Sequence, residues 1–223
     1  MLQKLISLLL LFVSLGTTAV NSYREQTDLG GSLFLVNRTY TIPSSYEPED
    51  LTKPNVRRAS ESVLLRESAA RALENMFAAA EEEAGLCLVA LSGYRSYSTQ
   101  AAIHTRKVNS VGKKAALRVS APAGASEHQL GLAMDICTAY DSSLTERFFS
   151  TPEGKWVEEN CSRFGFIIRY RAEWEEITGY AYEPWHVRYV GEEHARLITQ
   201  MNIPLETYIL ALRDESLNDI LEN

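Results

Sequence analysis

The sequence predicts a single domain of the α+β class, and three observations carry that expectation. The chain has 223 residues, 45% hydrophobic and 23% charged, an ordinary globular composition and enough length for one sizeable core. A long stretch with apolar residues at helical spacing is followed by several short apolar runs of strand length. These elements alternate without a regular βαβ rhythm, which argues against a parallel doubly wound sheet.

Taken in order, residues 1–20 read MLQKLISLLLLFVSLGTTAV, with Lys4 as their only charge and small residues from Gly16 to Ala19. This is the pattern of a signal peptide, or of an N-terminal anchor if it is not cleaved. The apolar stretch Leu5–Val20 is 16 residues, short for a spanning helix. Either way the working domain is expected outside the cytoplasm, secreted or held at the outer face of the cell membrane. Residues 21–59, punctuated by Pro43, Pro48 and Pro54, read as an extended arm with a short strand near Ser32–Val36.

The domain proper is expected over 60–215. A helix is predicted from Ser60 to Ala84, because Val63, Leu64, Ala69, Ala72, Leu73, Met76, Phe77 and Ala80 form one apolar face and Gly85 can end it. Leu86–Leu91 is a strand, SGYRS (92–96) a turn, and Ser98 the cap of a helix reaching about Lys107. A polar connection with Gly112, Pro122 and Gly124 leads to a buried strand after Gly131. Thr151-Pro152 is a cap followed by proline at the first helical position, so a helix runs to about Arg163. Phe166–Tyr170 and Pro184–Val190 read as strands, Glu192–Gln200 and Leu205–Leu212 as closing helices.

The net charge of −7 disfavours a nucleic-acid partner. Cys87, Cys137 and Cys161 are an odd number without zinc-site spacing, and Cys87 and Cys137 lie in apolar runs, so free buried thiols are expected.

The chemistry centres on Asp135, in the middle of the run Leu-Ala-Met-Asp-Ile-Cys. A carboxylate buried there without a partner costs on the order of several kcal/mol, so an arginine, a lysine or a metal ion must meet it. His128 lies seven residues upstream, beyond a glycine, and His186 lies in EPWHVRYV with Glu183 three residues before it. Two imidazoles and a carboxylate make a three-ligand zinc set with one open position, and the remaining glutamate can serve as a proton shuttle. The spacing alone leaves the choice open between a metal site and a structural ion pair. His104 and His194 are expected to be solvated surface residues.

Several segments taken together resemble the D-alanyl-D-alanine carboxypeptidase family of zinc peptidases, the VanY type of peptidase family M15. They are SGYRS with Gln100, SEHQLGLAMDI (126–136), GFIIRY (165–170) and TGYAYEPWHVRYVG (178–191), with LVNRTY and YEPEDL in the arm. The pattern Ser-x-His-x-x-Gly-x-Ala-x-Asp is met by Ser126, His128, Gly131, Ala133 and Asp135, and Glu-x-Trp-His by Glu183, Trp185 and His186. The resemblance implies a small antiparallel sheet with packed helices, of the Hedgehog and DD-peptidase kind. It implies that His128, Asp135 and His186 hold one Zn2+, that Glu183 is the base and that Arg95 sits in the site. Ser126, Gln100, Tyr94 and Trp185 are then substrate contacts, with capping and core packing as their alternative roles. The implied partner is a peptidoglycan stem peptide ending in D-Ala, and the implied reaction is removal of that residue. The same motifs also suit an L,D-carboxypeptidase, an endopeptidase on stem peptides, or a non-catalytic module that binds cell-wall peptide.

Overall fold

The computed structural model describes residues 27–221, with side chains through 213. The apolar segment 1–20 lies outside the described residues. The arm leads into β1 (Leu51–Thr52), which pairs antiparallel with β2 (Leu65–Arg66). Then come α1 (Glu67–Ala84), β3 (Leu88–Ser92), α2 (Tyr97–Val111) and α3 (Lys113–Val119). A 3-10 turn, Glu127–Leu130, precedes β4 (Ala133–Thr138), α4 (Pro152–Asn160), β5 (Phe166–Ile168) and α5 (Glu175–Thr178). The chain ends with β6 (His186–Tyr189), α6 (Glu192–Met201) and α7 (Leu205–Leu221). Helices thus surround a four-stranded antiparallel sheet in the order β3-β4-β6-β5, the expected α+β architecture.

The sheet separates two layers of core. All six residues of β4 are buried, and side chains alternate between its faces. Met134, Ile136, Val187, Phe166 and Ile168 join the main core with Ala69, Leu73, Met76 and Ala80 of α1. A second cluster joins Leu33 and Leu35 of the arm, Ile167 of β5, and Leu197, Ile198, Tyr208 and Ile209 of α6 and α7. No helix among the described residues is long and apolar enough to cross a membrane.

The differences from the predicted elements have local causes. Helix α1 begins at Glu67 and not at Ser60, because Leu65 and Arg66 pair with β1 and the Arg66 N–H donates to the Gly131 carbonyl at 2.9 Å. Val63 and Leu65 are still buried, but as part of the arm's clasp. Its C-terminus is as expected: Gly85 at φ 66° closes the helix, with its N–H bonded to Glu81 and that of Leu86 to Ala80. No strand forms at 32–36. The carbonyls of Ser32 and Phe34 are taken by the guanidinium of Arg188, so they have no need of a ladder.

Ser96, not Ser98, caps α2, accepting from the Thr99 N–H at 3.2 Å, and the helix runs on to Val111. The polar connection after Gly112, where the sequence predicts no regular element, holds a further helix, α3. Thr151 caps α4 as expected, by accepting from the Gly154 N–H. All three cysteines are free; Cys137 and Cys161 are buried, but Cys87 is exposed, beside Arg57 and just before β3. The two histidines expected in solvent are half-buried. His104 bonds the Ser120 carbonyl at 3.0 Å, and His194 bonds the Tyr208 hydroxyl at 2.7 Å, so each fastens its helix to a neighbouring segment.

Candidate active site

Sheet register brings the site together. Within the β4–β6 pair Asp135 lies directly opposite His186, and Ser92 at the end of β3 lies opposite Asp135 on its other side. His128 reaches the same place from the 3-10 turn, because Gly131 at φ 68° reverses the chain before β4. A side chain at Gly131 would also press on Arg66 and Leu51, each 3.0 Å from the Cβ position. Gln129, fully buried on that turn, donates to the Pro43 and Tyr46 carbonyls and ties the turn to the arm.

The ligating atoms of His128, Asp135 and His186 all lie within 4.8 Å of one another, and all three residues are buried. His128 Nε2 is 3.4 Å from Asp135 Oδ2, and His186 Nδ1 is 3.1 Å from Asp135 Oδ1. Donors about 2.0–2.1 Å from a tetrahedral zinc stand roughly 3.4 Å apart, so these spacings suit one ion. His128 Nδ1 donates to the Gly93 carbonyl at 2.6 Å, which leaves Nε2 unprotonated and aimed at the cluster. That Nε2 is buried with no hydrogen-bond partner. An orphaned acceptor facing a carboxylate fits a cation held between them.

The electrostatics agree. Burial, helped by the nearby Arg95 charge, lowers the His128 pKa to about 4 and keeps its imidazole neutral. Burial also opposes charge on His186, but the neighbouring Asp135 and Glu127 carboxylates outweigh it and raise the pKa to about 9. Burial disfavours charge on Asp135 as well, yet the two histidines hold its carboxyl below the usual range. The Asp135 carboxylate thus calls for positive charge at this point, and a dication held by the three side chains would supply it.

The cluster opens into a cavity of about 650 Å³. Its wall includes Arg95, Gln100, Ser126, Glu183 and Trp185 alongside the three candidate ligands. Arg95 follows β3, and its Nη2 is 3.6 Å from Asp135 Oδ2 while its Nε is buried without a partner. Glu183 sits in the turn before β6, where its backbone N–H bonds the Tyr170 carbonyl and its own carbonyl accepts from the His186 N–H at 3.1 Å. Burial raises its carboxyl pKa to about 7. A neighbouring dication would act in the opposite direction.

Gln100, 2% exposed, donates Nε2 to the Ala121 carbonyl at 2.6 Å and leaves Oε1 unpartnered. Ser126 makes no side-chain capping bond on the turn that it precedes. Trp185 packs partly against the main core and also lines the cavity. Tyr94 is outside the cavity wall, with Glu47 and Tyr46 as its electrostatic neighbours.

Three site residues escaped the sequence reading: Glu127, Arg169 and Arg188, all buried beneath the cluster. Glu127 Oε1 accepts from Arg169 Nε at 2.8 Å and from Arg188 Nη1 at 2.7 Å. The signal was present, since both arginines interrupt apolar strand segments just as Asp135 does.

Comparisons with known proteins agree with this geometry. The family model described as VanY, D-alanyl-D-alanine carboxypeptidase, matches residues 62–192. The putative carboxypeptidase YodJ of Bacillus subtilis is 46% identical over 181 residues, 79% of this chain and 66% of that one, so the chain spans just under two thirds of that relative. The structure of the LdcB LD-carboxypeptidase, described as revealing the basis of peptidoglycan recognition, superposes with a TM-score of 0.77. It is 44% identical and covers 82% of this chain and 88% of its own. A mutant of the vancomycin-resistance D,D-pentapeptidase VanY from a VanB-type cassette, in complex with Zn(II), gives a TM-score of 0.68. It is 37% identical, with 80% of this chain and 98% of that one covered. With its sheet, its buried His-Asp-His cluster and a family match across both, the chain belongs to the VanY family of D-alanyl-D-alanine carboxypeptidases.

Proposed function

We propose that the protein is a zinc carboxypeptidase that removes the terminal D-alanine from peptidoglycan stem peptides outside the membrane. The observation that carries this reading is the orphaned His128 Nε2, facing Asp135 and His186 at the floor of a cavity that also presents Glu183 and Arg95. Support comes from the zinc held by the VanY relative, from the likeness to LdcB, and from the apolar N-terminal segment.

His128 through Nε2, Asp135 and His186 would hold one Zn2+. When bound, the ion supplies Lewis acidity and lowers the pKa of a coordinated water to about 7. The chain's own residues do the rest. Glu183, on the cavity wall beside the cluster, accepts a proton from the attacking water and passes it to the amine nitrogen of the departing D-alanine as the C–N bond breaks. The Arg95 guanidinium steadies the negative oxygen that develops on the penultimate carbonyl, or grips the terminal carboxylate. Burial of the cluster at the cavity floor lowers the local dielectric, which strengthens both interactions.

D,D-cleavage, between two D-alanines, is the first reading because the family model carries it. L,D-cleavage, which takes the single D-alanine from a tetrapeptide, is favoured by the 44% identity to LdcB. Purified protein incubated with muropeptides ending in D-Ala-D-Ala or in a single D-Ala separates them by product mass. A loss of one alanine from the pentapeptide supports the first reading and from the tetrapeptide alone the second. No alanine released from either would overturn both.

A further inference from the structure

We propose that Glu127 is a positioning residue that sets the tautomer of His186, and so decides which imidazole nitrogen is offered to the metal. This rests on the metal site proposed above. The two histidines of the cluster are oriented differently. His128 hands Nδ1–H to a backbone carbonyl and presents Nε2. His186 faces the other way: Nδ1 points to Asp135, and Nε2 lies 3.5 Å from Glu127 Oε2. Both of these latter atoms are buried and neither has a stronger partner, so each is the other's remaining opportunity for a hydrogen bond. A carboxylate can only accept, so Nε2 carries the proton and Nδ1 keeps its lone pair for the ion.

The carboxylate is itself held in place. Its other oxygen, Oε1, takes donors from Arg169 and Arg188, whose side chains are 0% exposed, as is that of Glu127. Arg169 is gripped in turn by Glu206 of α7, through bonds of 2.9 and 2.6 Å. Arg188 Nη2 donates to the carbonyls of Ser32 and Phe34 in the arm. Two arginines and two glutamates therefore balance in charge, and the carboxylate cannot turn without breaking a buried ion pair. Arg188 lies two residues along β6 from His186, and the Arg169 N–H, just past β5, donates to the His186 carbonyl at 3.2 Å, so the network is anchored in the backbone beside the ring.

The consequence is specific to the charge of Glu127. In Glu127→Gln the two guanidiniums still demand an acceptor, so the amide oxygen turns to them and the NH2 group faces His186. Nε2 must then accept, and the ring proton moves to Nδ1, the atom that the ion needs. Glu127→Asp keeps an acceptor on that side but shortens the reach.

Zinc affinity, measured by competition with a chromophoric chelator on the full chain, should fall 10–100-fold in Glu127→Gln, the range typical of such outer partners, and less in Glu127→Asp. Melting of the metal-free proteins identifies any variant that has simply unfolded. Independently, 15N NMR of the zinc-loaded wild type should show His186 Nδ1 bound to metal and Nε2 bonded to hydrogen, with His128 the reverse. A folded Glu127→Gln that binds zinc as tightly as wild type would overturn the proposal, as would metal on His186 Nε2. If Glu127→Gln does not fold, the wild-type spectrum decides. A wild type that binds no zinc would overturn the metal site itself, a result distinct from either.

Discussion

Two groups of buried charge sit side by side on one face of the sheet. In the first, His128, Asp135 and His186 surround a point where an imidazole nitrogen has no partner and the cavity begins. In the second, Glu127, Arg169, Arg188 and Glu206 pair off charge for charge, with bonds of 2.6–2.9 Å, and only Glu206 is partly exposed. Burial of charge is common to both, so burial alone does not mark a reactive centre. What distinguishes the first is a set of donors that fits a cation, and an opening. The second balances its own charge, and its unpartnered oxygen, Glu127 Oε2, faces His186.

The largest effect expected from this contrast is on turnover. Glu183→Ala should leave zinc binding and melting unchanged but slow hydrolysis of the cleaved muropeptide by roughly 10²–10⁴-fold, the usual share of a proton shuttle. Unchanged turnover would remove Glu183 from the reaction. A second test breaks the closed group. Arg188→Met leaves Glu127 with one buried cation where there were two, and should destabilise the metal-free protein by about 3–5 kcal/mol in chemical denaturation. A loss below about 1 kcal/mol would mean that the network is solvated and not closed.

The smallest effect concerns the thiols. Burial pushes the Cys161 thiol up to about 12 and also raises Cys137, on the same strand as Asp135. A raised pKa keeps the thiol protonated and the reactive thiolate scarce. At pH 8 a thiol reagent should label Cys87, which is exposed, and reach the other two only after denaturation. Rapid labelling of Cys137 in the native protein would show that the sheet is open to solvent there.

Much of this was legible in the sequence where one periodicity dominates. The apolar face of α1 with its closing Gly85, the buried strand through Asp135, and the Thr151-Pro152 cap all follow from local chemistry. The misplaced elements are those decided by distant partners. Leu65 and Arg66 have helical neighbours but pair with β1, and residues 32–36 look like a strand yet give their carbonyls to Arg188.

The site shows the same division. A lone acid in an apolar strand exposed the first charge group, and motif resemblance supplied its partners. Glu127 stands next to His128 in a polar-looking turn, and nothing local announces that it is the most enclosed carboxylate in the site. Arg169 and Arg188, set in FIIRY and HVRYV, carried the warning that Asp135 carried, and pairing them required the fold.

The most direct test of the central claim is anomalous diffraction at the zinc edge from crystals of the zinc-loaded protein. The account predicts a peak between the side chains of His128, Asp135 and His186, at the floor of the cavity beside Glu183. A peak elsewhere, or none at that position in zinc-replete crystals, would contradict it.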